Sequence, residues 1–177
     1  MRSRTLFKIF IAFFAVLLGC KQASLGQQYC ENPEFEQRVK RYLSFSVPVL
    51  SVEKLREHKE DYVILDAREE EEFRVSSIPG STFVGYRDFD LAGIKERFDL
   101  DQPIVVYCSI GYRSEKIGEL LQEAGYRKVY NLYGSIFEWA NRDFPLVNPE
   151  NKSTKEIHTY NKRWSKWMDN EALQKVW

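Results

Sequence analysis

Short apolar runs alternate with amphipathic segments along the middle of the chain. Five runs rich in Val, Ile and Leu occupy residues 47–50, 62–65, 82–84, 104–107 and 129–132. A short apolar run bounded by turn residues and followed by a helical pattern is typical of a buried strand in a parallel sheet. The alternation therefore predicts an α/β domain whose largely parallel sheet is covered by helices on both faces.

The segments between these runs contain signals for the start and end of helices. Ser51 precedes VEKLREHKE and Ser114 precedes EKIGELLQEAG, so each serine is expected to cap a helix, and Gly125 is expected to end the second one. Apolar residues at helical spacing in the second segment predict a stripe that lies on the sheet. Another helix is predicted from Pro33, because proline suits the first turn of a helix.

Four consecutive glutamates, Glu69–Glu72, open a further predicted helix. Carboxylates in a first turn interact favourably with the helix dipole. We therefore expect this acidic run to be a solvated surface turn. His58 lies in an exposed helical pattern and is expected on the surface as well.

Residues 148–177 begin polar and become aromatic. Tyr160, Trp164 and Trp167 would form one stripe on a helix. Three such rings carry a large apolar area, so this C-terminal arm is expected to dock on the domain. Lysine and arginine residues flank the rings, so an arm that binds a partner or a membrane surface is an alternative. His158 lies in this arm, and nothing in the sequence places it near Cys108.

Composition fits one folded domain with appendages. The chain has 177 residues, of which 44% are hydrophobic and 29% charged, and this excludes collagen-like and largely disordered classes. The 26 basic and 26 acidic residues cancel, and the basic residues form no long run. Nucleic acid is therefore not predicted as a partner. Three cysteines are too few for a disulfide scaffold.

The N-terminus has the pattern of an export signal. A basic stretch is followed by an uncharged apolar run of 11 residues that ends before Cys20. This run is too short to span a bilayer, which needs about 20 apolar residues, but it suits a secretory signal. Leu17-Leu18-Gly19-Cys20 resembles the lipobox of bacterial lipoproteins. The resemblance implies cleavage after residue 19 and lipidation of Cys20, which would anchor the protein to a membrane.

An ordinary secretory signal cut near Ala23 or Gly26 is the alternative. The first reading predicts a lipid-anchored protein of the bacterial cell envelope that faces the periplasm, and the second a soluble periplasmic or secreted protein. Residues 20–45 are then expected to form a tether and an N-terminal helix. Cys30 is a possible partner thiol for Cys108 in this oxidising environment. A disulfide would require Cα atoms within about 7 Å, whereas a position in the tether would leave Cys30 too far away.

The stretch Ile104–Ser114 carries the candidate chemistry. A buried strand delivers Cys108 to the carboxyl edge of the sheet, where open α/β sheets bind their ligands. The six-residue loop from Cys108 to Arg113 then leads into a helix. Loop amides, the helix N-terminus and Arg113 would favour a thiolate and lower the cysteine pKa from about 8.5 to roughly 3.5–7.5. Gly111 suits a tight loop because it tolerates positive φ. The alternative is that Cys108 is only a small buried hydrophobe.

Residues 46–147 resemble a single rhodanese domain. The segments SVEKLREH, VILDAREEEEF, SIPGSTFV and IVVYCSIGYRSEKIGELLQEAGYRKVYNLYGSIFEWA follow one another in the family's order. The resemblance implies a five-stranded parallel sheet and a sulfurtransferase that needs no metal or organic cofactor. Cys108 would carry a persulfide between a small sulfane-sulfur donor and a thiol or cyanide acceptor. The implied substrate-binding loop consists of Ser109, Ile110, Gly111, Tyr112 and Arg113. Asp66, Arg68 and Ser114 would support that loop, and Arg113 would orient an anionic donor or brace the loop.

Three positions depart from the family pattern. Ser77 stands where many members have a histidine before Ile-Pro-Gly, so any role of that imidazole is absent. Gly134-Ser135 replaces the usual Gly-Gly, a mild change in a turn. Ser109 replaces the basic residue of some thiosulfate-using members, which weakens the case for thiosulfate as the physiological donor.

Two other functions remain open at this point. A non-catalytic rhodanese-like module could bind or carry sulfur at the envelope. A phosphatase or arsenate reductase of the same fold would also use a thiolate, but its loop is one residue longer. Here four residues separate Cys108 from Arg113, and Ser114 occupies the position that a phosphatase arginine would take. The shorter loop favours sulfur transfer over chemistry on a phosphoryl group.

Overall fold

A parallel sheet of five strands forms the centre of the computed structural model, which describes residues 28–177. Its strands are β1 (Val49–Leu50), β2 (Val63–Asp66), β3 (Thr82–Phe83), β4 (Ile104–Tyr107) and β5 (Val129–Leu132). They lie in the order β1-β5-β4-β2-β3, and every neighbouring pair is parallel. The predicted α/β fold is confirmed. The export signal and Cys20 lie outside the described residues.

Helices cover both faces of this sheet. They are α1 (Pro33–Lys40), α2 (Val52–Glu57), α3 (Glu70–Val75), α4 (Leu91–Arg97), α5 (Tyr112–Glu123) and α6 (Ser135–Asn141). Along β4, Ile104 and Val106 belong to one buried cluster, whereas Val105 and Tyr107 belong to another. Because successive side chains of a strand point to opposite faces, β4 is buried on both sides. The residue that follows β4, Cys108, therefore lies where the buried strand ends, at the carboxyl edge of the sheet.

Two of the predicted helix boundaries agree with the structure, and a third does not. Ser51 caps α2 by accepting a hydrogen bond from the Lys54 amide at 3.2 Å. Gly125 follows the end of α5 with a φ of 100°. Ser114, however, is not a cap, because α5 already begins at Tyr112, with Gly111 as its N-cap residue. The predicted capping role of Ser114 is therefore wrong, and its hydroxyl is free for another task.

The N-terminal part of the described chain packs on the domain. Phe35 and Val39 on α1 and Leu43 beyond it are buried in the same cluster as α2 and α6. Cys30 is also fully buried, although the sequence pattern placed it at the end of a polar tether. Within residues 28–177, no helix is both long and apolar enough to cross a bilayer.

Residues 148–177 form two short parallel strands, β6 (Glu156–His158) and β7 (Gln174–Val176), and one turn of 3₁₀ helix at Ser165–Trp167. The predicted helical stripe is therefore wrong. Tyr160 adopts a φ of 66°, which no right-handed helix allows, so the chain turns sharply after β6. The segment lies on the domain through its buried apolar side chains, which are Ile157, Met168 and Leu173.

Candidate functional site

Cys108 follows β4 directly and lies at the carboxyl edge of the sheet. Its side chain is only 1% exposed. The Gly111 amide donates a hydrogen bond to Cys108 Sγ at 3.2 Å, and Gly111 adopts the positive φ, 120°, that the tight loop requires. A helix then begins at the next residue, so the loop amides and the helix N-terminus face the sulfur together.

This environment favours the thiolate of Cys108. Burial by itself would raise the cysteine pKa, but the charge of Arg113 and hydrogen bonds from the amides of Ser114 and Gly111 outweigh it. The pKa of Cys108 is therefore lower than that of an ordinary cysteine. A thiolate is the form that acts as a nucleophile, so the loop prepares the sulfur for covalent chemistry.

Arg113 lies near the Cys108 sulfur and forms an ion pair with the buried carboxylate of Glu72. Its Nη1 lies 2.6 Å from Glu72 Oε2 and its Nη2 lies 2.8 Å from Glu72 Oε1. Ser109 Oγ completes the cluster, because it donates to Glu72 Oε1 at 2.9 Å and accepts from Arg113 Nη2 at 2.9 Å. Arg113 thus braces the loop, one of the two roles that the sequence left open.

Glu72 corrects the expectation that the acidic run is a solvated surface turn. Its side chain is buried, whereas Glu70 and Glu71 are exposed and Glu69 is partly exposed. Burial disfavours its charge, but hydrogen bonds from Arg113 and the charges of Arg113 and Arg68 lower the pKa of Glu72 to about 2. The pattern of four glutamates did not reveal this, because the partner of Glu72 lies on a distant helix.

The underside of the loop is held by a second polar cluster. Ser114 Oγ donates to Asn131 Oδ1 at 2.7 Å, and Asn131 Nδ2 donates to the Gly111 carbonyl at 3.0 Å. The Cys108 amide donates to Ser135 Oγ at 3.1 Å. Ser135, which replaces a glycine of the family pattern, therefore contacts the backbone of Cys108 itself.

Asp66 and Arg68 form a fully buried ion pair behind the site. Arg68 Nη2 lies 2.7 Å from Asp66 Oδ2 and donates to the Ser76 carbonyl at 2.6 Å. The guanidinium also lies 5.6 Å from the ring centroid of Tyr107, the residue before Cys108. The pair therefore fixes the end of β2 to the strand that carries the cysteine, and it makes no direct contact with the sulfur.

A cavity of about 350 Å³ opens above Cys108. Loop residues Ser109, Ile110, Tyr112 and Arg113 form its floor and one side. Its remaining walls come from residues for which the sequence offered no role at this site, namely Tyr42, Glu69, Tyr86, Arg87, Tyr160 and Trp164. They are far apart in the chain, so no local pattern could have assembled them.

Ser77, which departs from the family pattern, makes a structural contact. Ser77 pairs with Val147, because the Ser77 amide donates to the Val147 carbonyl at 2.8 Å and the Val147 amide returns the bond at 3.1 Å. His158, in contrast, lies on β6 beside α3, and its charged neighbours include Glu72 and Arg113. No pattern in the sequence predicted that this imidazole lies near the site.

Cys30 is the second free cysteine of residues 28–177, and it forms no disulfide with Cys108. Burial and the nearby carboxylates of Glu138 and Glu36 raise the pKa of Cys30 far above that of an ordinary thiol. It is therefore protonated at neutral pH. Within the described part of the chain, no group of three or more His, Cys, Asp and Glu side chains is arranged to hold a metal ion.

Known proteins resemble this chain in sequence and in fold. The Rhodanese-like domain family matches residues 51–142. Thiosulfate sulfurtransferase GlpE of Actinobacillus succinogenes is 32% identical over 90 residues, which cover 49% of this chain and 77% of that protein. A sulfurtransferase of Allochromatium vinosum is 33% identical over 92 residues, covering 51% and 83%. Among solved structures, a rhodanese-related protein of Thermoplasma volcanium has a TM-score of 0.52 at 25% identity, covering 56% and 97%.

Proposed function

Because the chain belongs to the rhodanese-like domain family, we propose that it is a sulfurtransferase in which Cys108 carries sulfane sulfur as a persulfide. The observation that carries this proposal is the cradle around Cys108, formed by the amides of Gly111 and Ser114 and the charge of Arg113. A buried thiol whose pKa is lowered, not raised, lies at the floor of an open cavity. Sulfurtransferases among the relatives support the same class of reaction.

The reaction has two half-reactions. In the first, the Cys108 thiolate attacks the outer sulfur of a thiosulfate-like or persulfide donor. A bond forms between Sγ and that sulfur, the sulfur's bond to the rest of the donor breaks, and the leaving group takes the electron pair. In the second, a thiolate or cyanide attacks the terminal sulfur, the bond to Sγ breaks, and Cys108 recovers its electron pair as thiolate.

The loop supports both half-reactions by stabilising an anion. The Gly111 amide and the helix N-terminus point at the sulfur, where the thiolate and then the persulfide carry a negative charge. Arg113 adds positive potential but is already paired with Glu72. A persulfide or another sulfane sulfur compound of low charge therefore fits this site better than doubly charged thiosulfate.

Phosphatase or arsenate reductase chemistry fits the site less well. The position where a phosphatase would need its arginine is Ser114, whose buried hydroxyl is committed to Asn131. Arg113 in turn is committed to Glu72 and Ser109. Neither side chain is free to clamp the three equatorial oxygens of a phosphoryl group.

Parallel assays of one purified protein test this choice. Thiosulfate with cyanide should give thiocyanate, an aryl phosphate should give no phosphate, and Cys108→Ser should remove the sulfur transfer. Cysteine-dependent phosphate release without sulfur transfer would contradict the proposal. Inactivity on both substrates, with no persulfide formed from any sulfane donor, would favour a non-catalytic binding module.

We also propose export and lipid attachment through Cys20, on the support of the LLGC sequence at the end of the apolar run. The wild-type protein should fractionate with membranes and incorporate a labelled fatty acid. Cys20→Ala should leave a soluble or uncleaved product without label. A wild-type protein released without detergent, with its N-terminus at residue 24 or beyond, would contradict lipidation and favour the soluble periplasmic or secreted alternative.

A further inference from the structure

The walls of the cavity above Cys108 come in part from residues 148–177, which lie outside the matched family region. We propose, on the basis of the sulfurtransferase function above, that Tyr160 and Trp164 of this segment select the sulfur acceptor. The acceptor class that they favour is a thiol with an uncharged, apolar body, such as an aryl thiol. Both rings would contact that body while its sulfur meets Cys108.

Tyr160 is held over the site by a strained turn. Its φ is 66°, and its amide donates to His158 Nδ1 at 3.1 Å. Arg113 lies 5.4 Å from the centroid of its ring, within the range of a cation–π contact. A non-glycine residue at positive φ is strained, and such strain concentrates at ligand-binding positions. The turn places a ring that is 51% exposed at the mouth of the cavity.

Trp164 extends the same wall. Its ring meets that of Tyr42 edge to face, with centroids 5.4 Å apart, and Tyr42 meets Tyr112 at 6.4 Å. These three rings join Tyr160 around one opening. Aromatic walls of this kind bind apolar ligand surface and give little hydrogen bonding to a polar one.

Charges around the cavity also disfavour an anionic acceptor. Each of the two lining arginines faces a carboxylate, since Arg113 pairs with Glu72 at 2.6 Å and Arg87 lies 3.6 Å from Glu69. The persulfide on Cys108 would add one negative charge that no further lining cation offsets among residues 28–177. A carboxylate or sulfonate on the acceptor would therefore meet repulsion, whereas an uncharged ring would not.

The chemical step balances without another reactant. The acceptor thiolate attacks the terminal sulfur of the Cys108 persulfide, and a new sulfur–sulfur bond forms between acceptor and sulfane sulfur. The bond between that sulfur and Sγ breaks, and Cys108 leaves as thiolate with the electron pair. The product is an aryl persulfide, and no oxidant or reductant is consumed.

A discharge experiment on preloaded protein tests the selection. The purified protein is loaded with inorganic polysulfide, desalted, and mixed with thiophenol or para-mercaptobenzoate, two acceptors that differ by one carboxylate. Loss of the added sulfur is followed by intact mass. Each acceptor's rate with the protein is divided by its rate with a small organic persulfide, which corrects for the different intrinsic reactivity of the two thiols. The corrected rate of wild type should then be about ten-fold higher with thiophenol, the scale of one or two aromatic contacts.

Variants separate selection from folding. Tyr160→Ala should reduce the preference to about two-fold, Tyr160→Phe should retain it, and Trp164→Ala should reduce it as well. Trp177→Ala removes a ring that is 60% exposed and lines no part of the cavity, so the preference should not change. Circular dichroism checks that each variant is folded, and Tyr160→Ala, at an exposed side chain, keeps the test available if Trp164→Ala unfolds.

The outcomes are distinct. Equal preference in wild type and folded Tyr160→Ala would overturn the acceptor selection while leaving sulfur transfer intact. A wild type that shows no preference between the two acceptors, once their intrinsic reactivities are corrected for, would also overturn it. Failure of Cys108 to load at all would refute the sulfurtransferase function and this inference with it.

Discussion

Two buried cysteines each lie beside a buried glutamate that pairs with a partly buried arginine, but the residue with the stronger effect on the thiol differs between the two sites. Near Cys108, Arg113 is the larger electrostatic influence on the thiol, and Glu72 holds Arg113 from behind. Near Cys30, the carboxylate of Glu138 affects the thiol pKa more strongly than does its partner, Arg142. The pKa of Cys108 is lowered, whereas that of Cys30 is raised.

This contrast shows that burial does not decide whether a thiol is reactive. Both side chains are almost fully buried, with exposed fractions of 1% for Cys108 and 0% for Cys30. What differs is the set of donors that face the sulfur. Loop amides and an arginine surround Cys108, whereas carboxylates and apolar side chains surround Cys30. The first environment prepares a nucleophile and the second a structural residue.

The largest expected effect is a difference in alkylation. Iodoacetamide at neutral pH should modify Cys108 at least about a thousand-fold faster than Cys30, because only the thiolate reacts and only Cys108 lines a cavity. The rate at Cys108 should fall as the pH drops through its lowered pKa. Peptide mapping of timed samples measures both sites in one protein. Similar alkylation rates at Cys108 and Cys30 would contradict the proposed difference in reactivity.

The next effect concerns Glu72 and Glu138, the buried glutamates of these two ion pairs. Glu72→Gln should lower the free energy of unfolding by about 3 kcal/mol, because it leaves the Arg113 charge without its buried partner. Glu138→Gln should cost less, because Arg142 keeps Glu53 at 2.6 Å and Glu31 at 3.5 Å. Urea denaturation of both variants measures the difference. An equal or reversed order would contradict the proposed role of Glu72.

Acid should expose the same difference. The pKa of Glu72 falls from an ordinary 4.5 to about 2 in the folded protein. Its contribution to stability is therefore present above about pH 4.5 and is lost as the pH falls towards 2, by about 3 kcal/mol in total. The pKa of Glu138 is raised, so protonation of that group favours the folded state as the pH falls. Unfolding of wild type and Glu72→Gln between these pH values checks the sign: the variant should lose less stability.

The smallest expected effect is at Ser135. Ser135→Ala should cost about 1–2 kcal/mol, because the buried Cys108 amide loses its acceptor. Ser135→Gly loses the same acceptor but relieves a φ of 52°, so it should cost less than Ser135→Ala. Thermal unfolding ranks the two variants. If glycine proved the more damaging residue, the positive φ of Ser135 would not be a source of strain, and if neither variant lost stability, the hydroxyl would not support the Cys108 amide.

The sequence predicted the positions of strands and of the Cys108 loop better than it predicted contacts between residues far apart in the chain. Strands such as Ile104–Tyr107 have an uninterrupted apolar pattern that only a doubly buried strand requires, so their positions follow from local residues. The loop from Cys108 to Arg113 was recognisable for a similar reason, because strand, glycine and helix follow one another directly in the chain.

Contacts across the fold were not predictable in this way. Glu72 and Arg113 are 41 positions apart, and nothing local distinguishes Glu72 from the glutamates before it. Tyr160 was expected on a helix because its spacing to Trp164 suits one, but tertiary packing of β6 and β7 prevailed over that spacing. Ser114 was expected to cap a helix that in fact starts two residues earlier, at Tyr112.

The most direct test is to locate the transferred sulfur. The purified protein is treated with inorganic polysulfide and digested, and mass spectrometry of its peptides detects the gain of one sulfur atom. We expect the added sulfur on the Cys108 peptide, its loss in Cys108→Ser and its retention in Cys30→Ser. Sulfur on the Cys30 peptide, or on neither peptide, would contradict the claim that the cradle makes Cys108 the sulfur carrier.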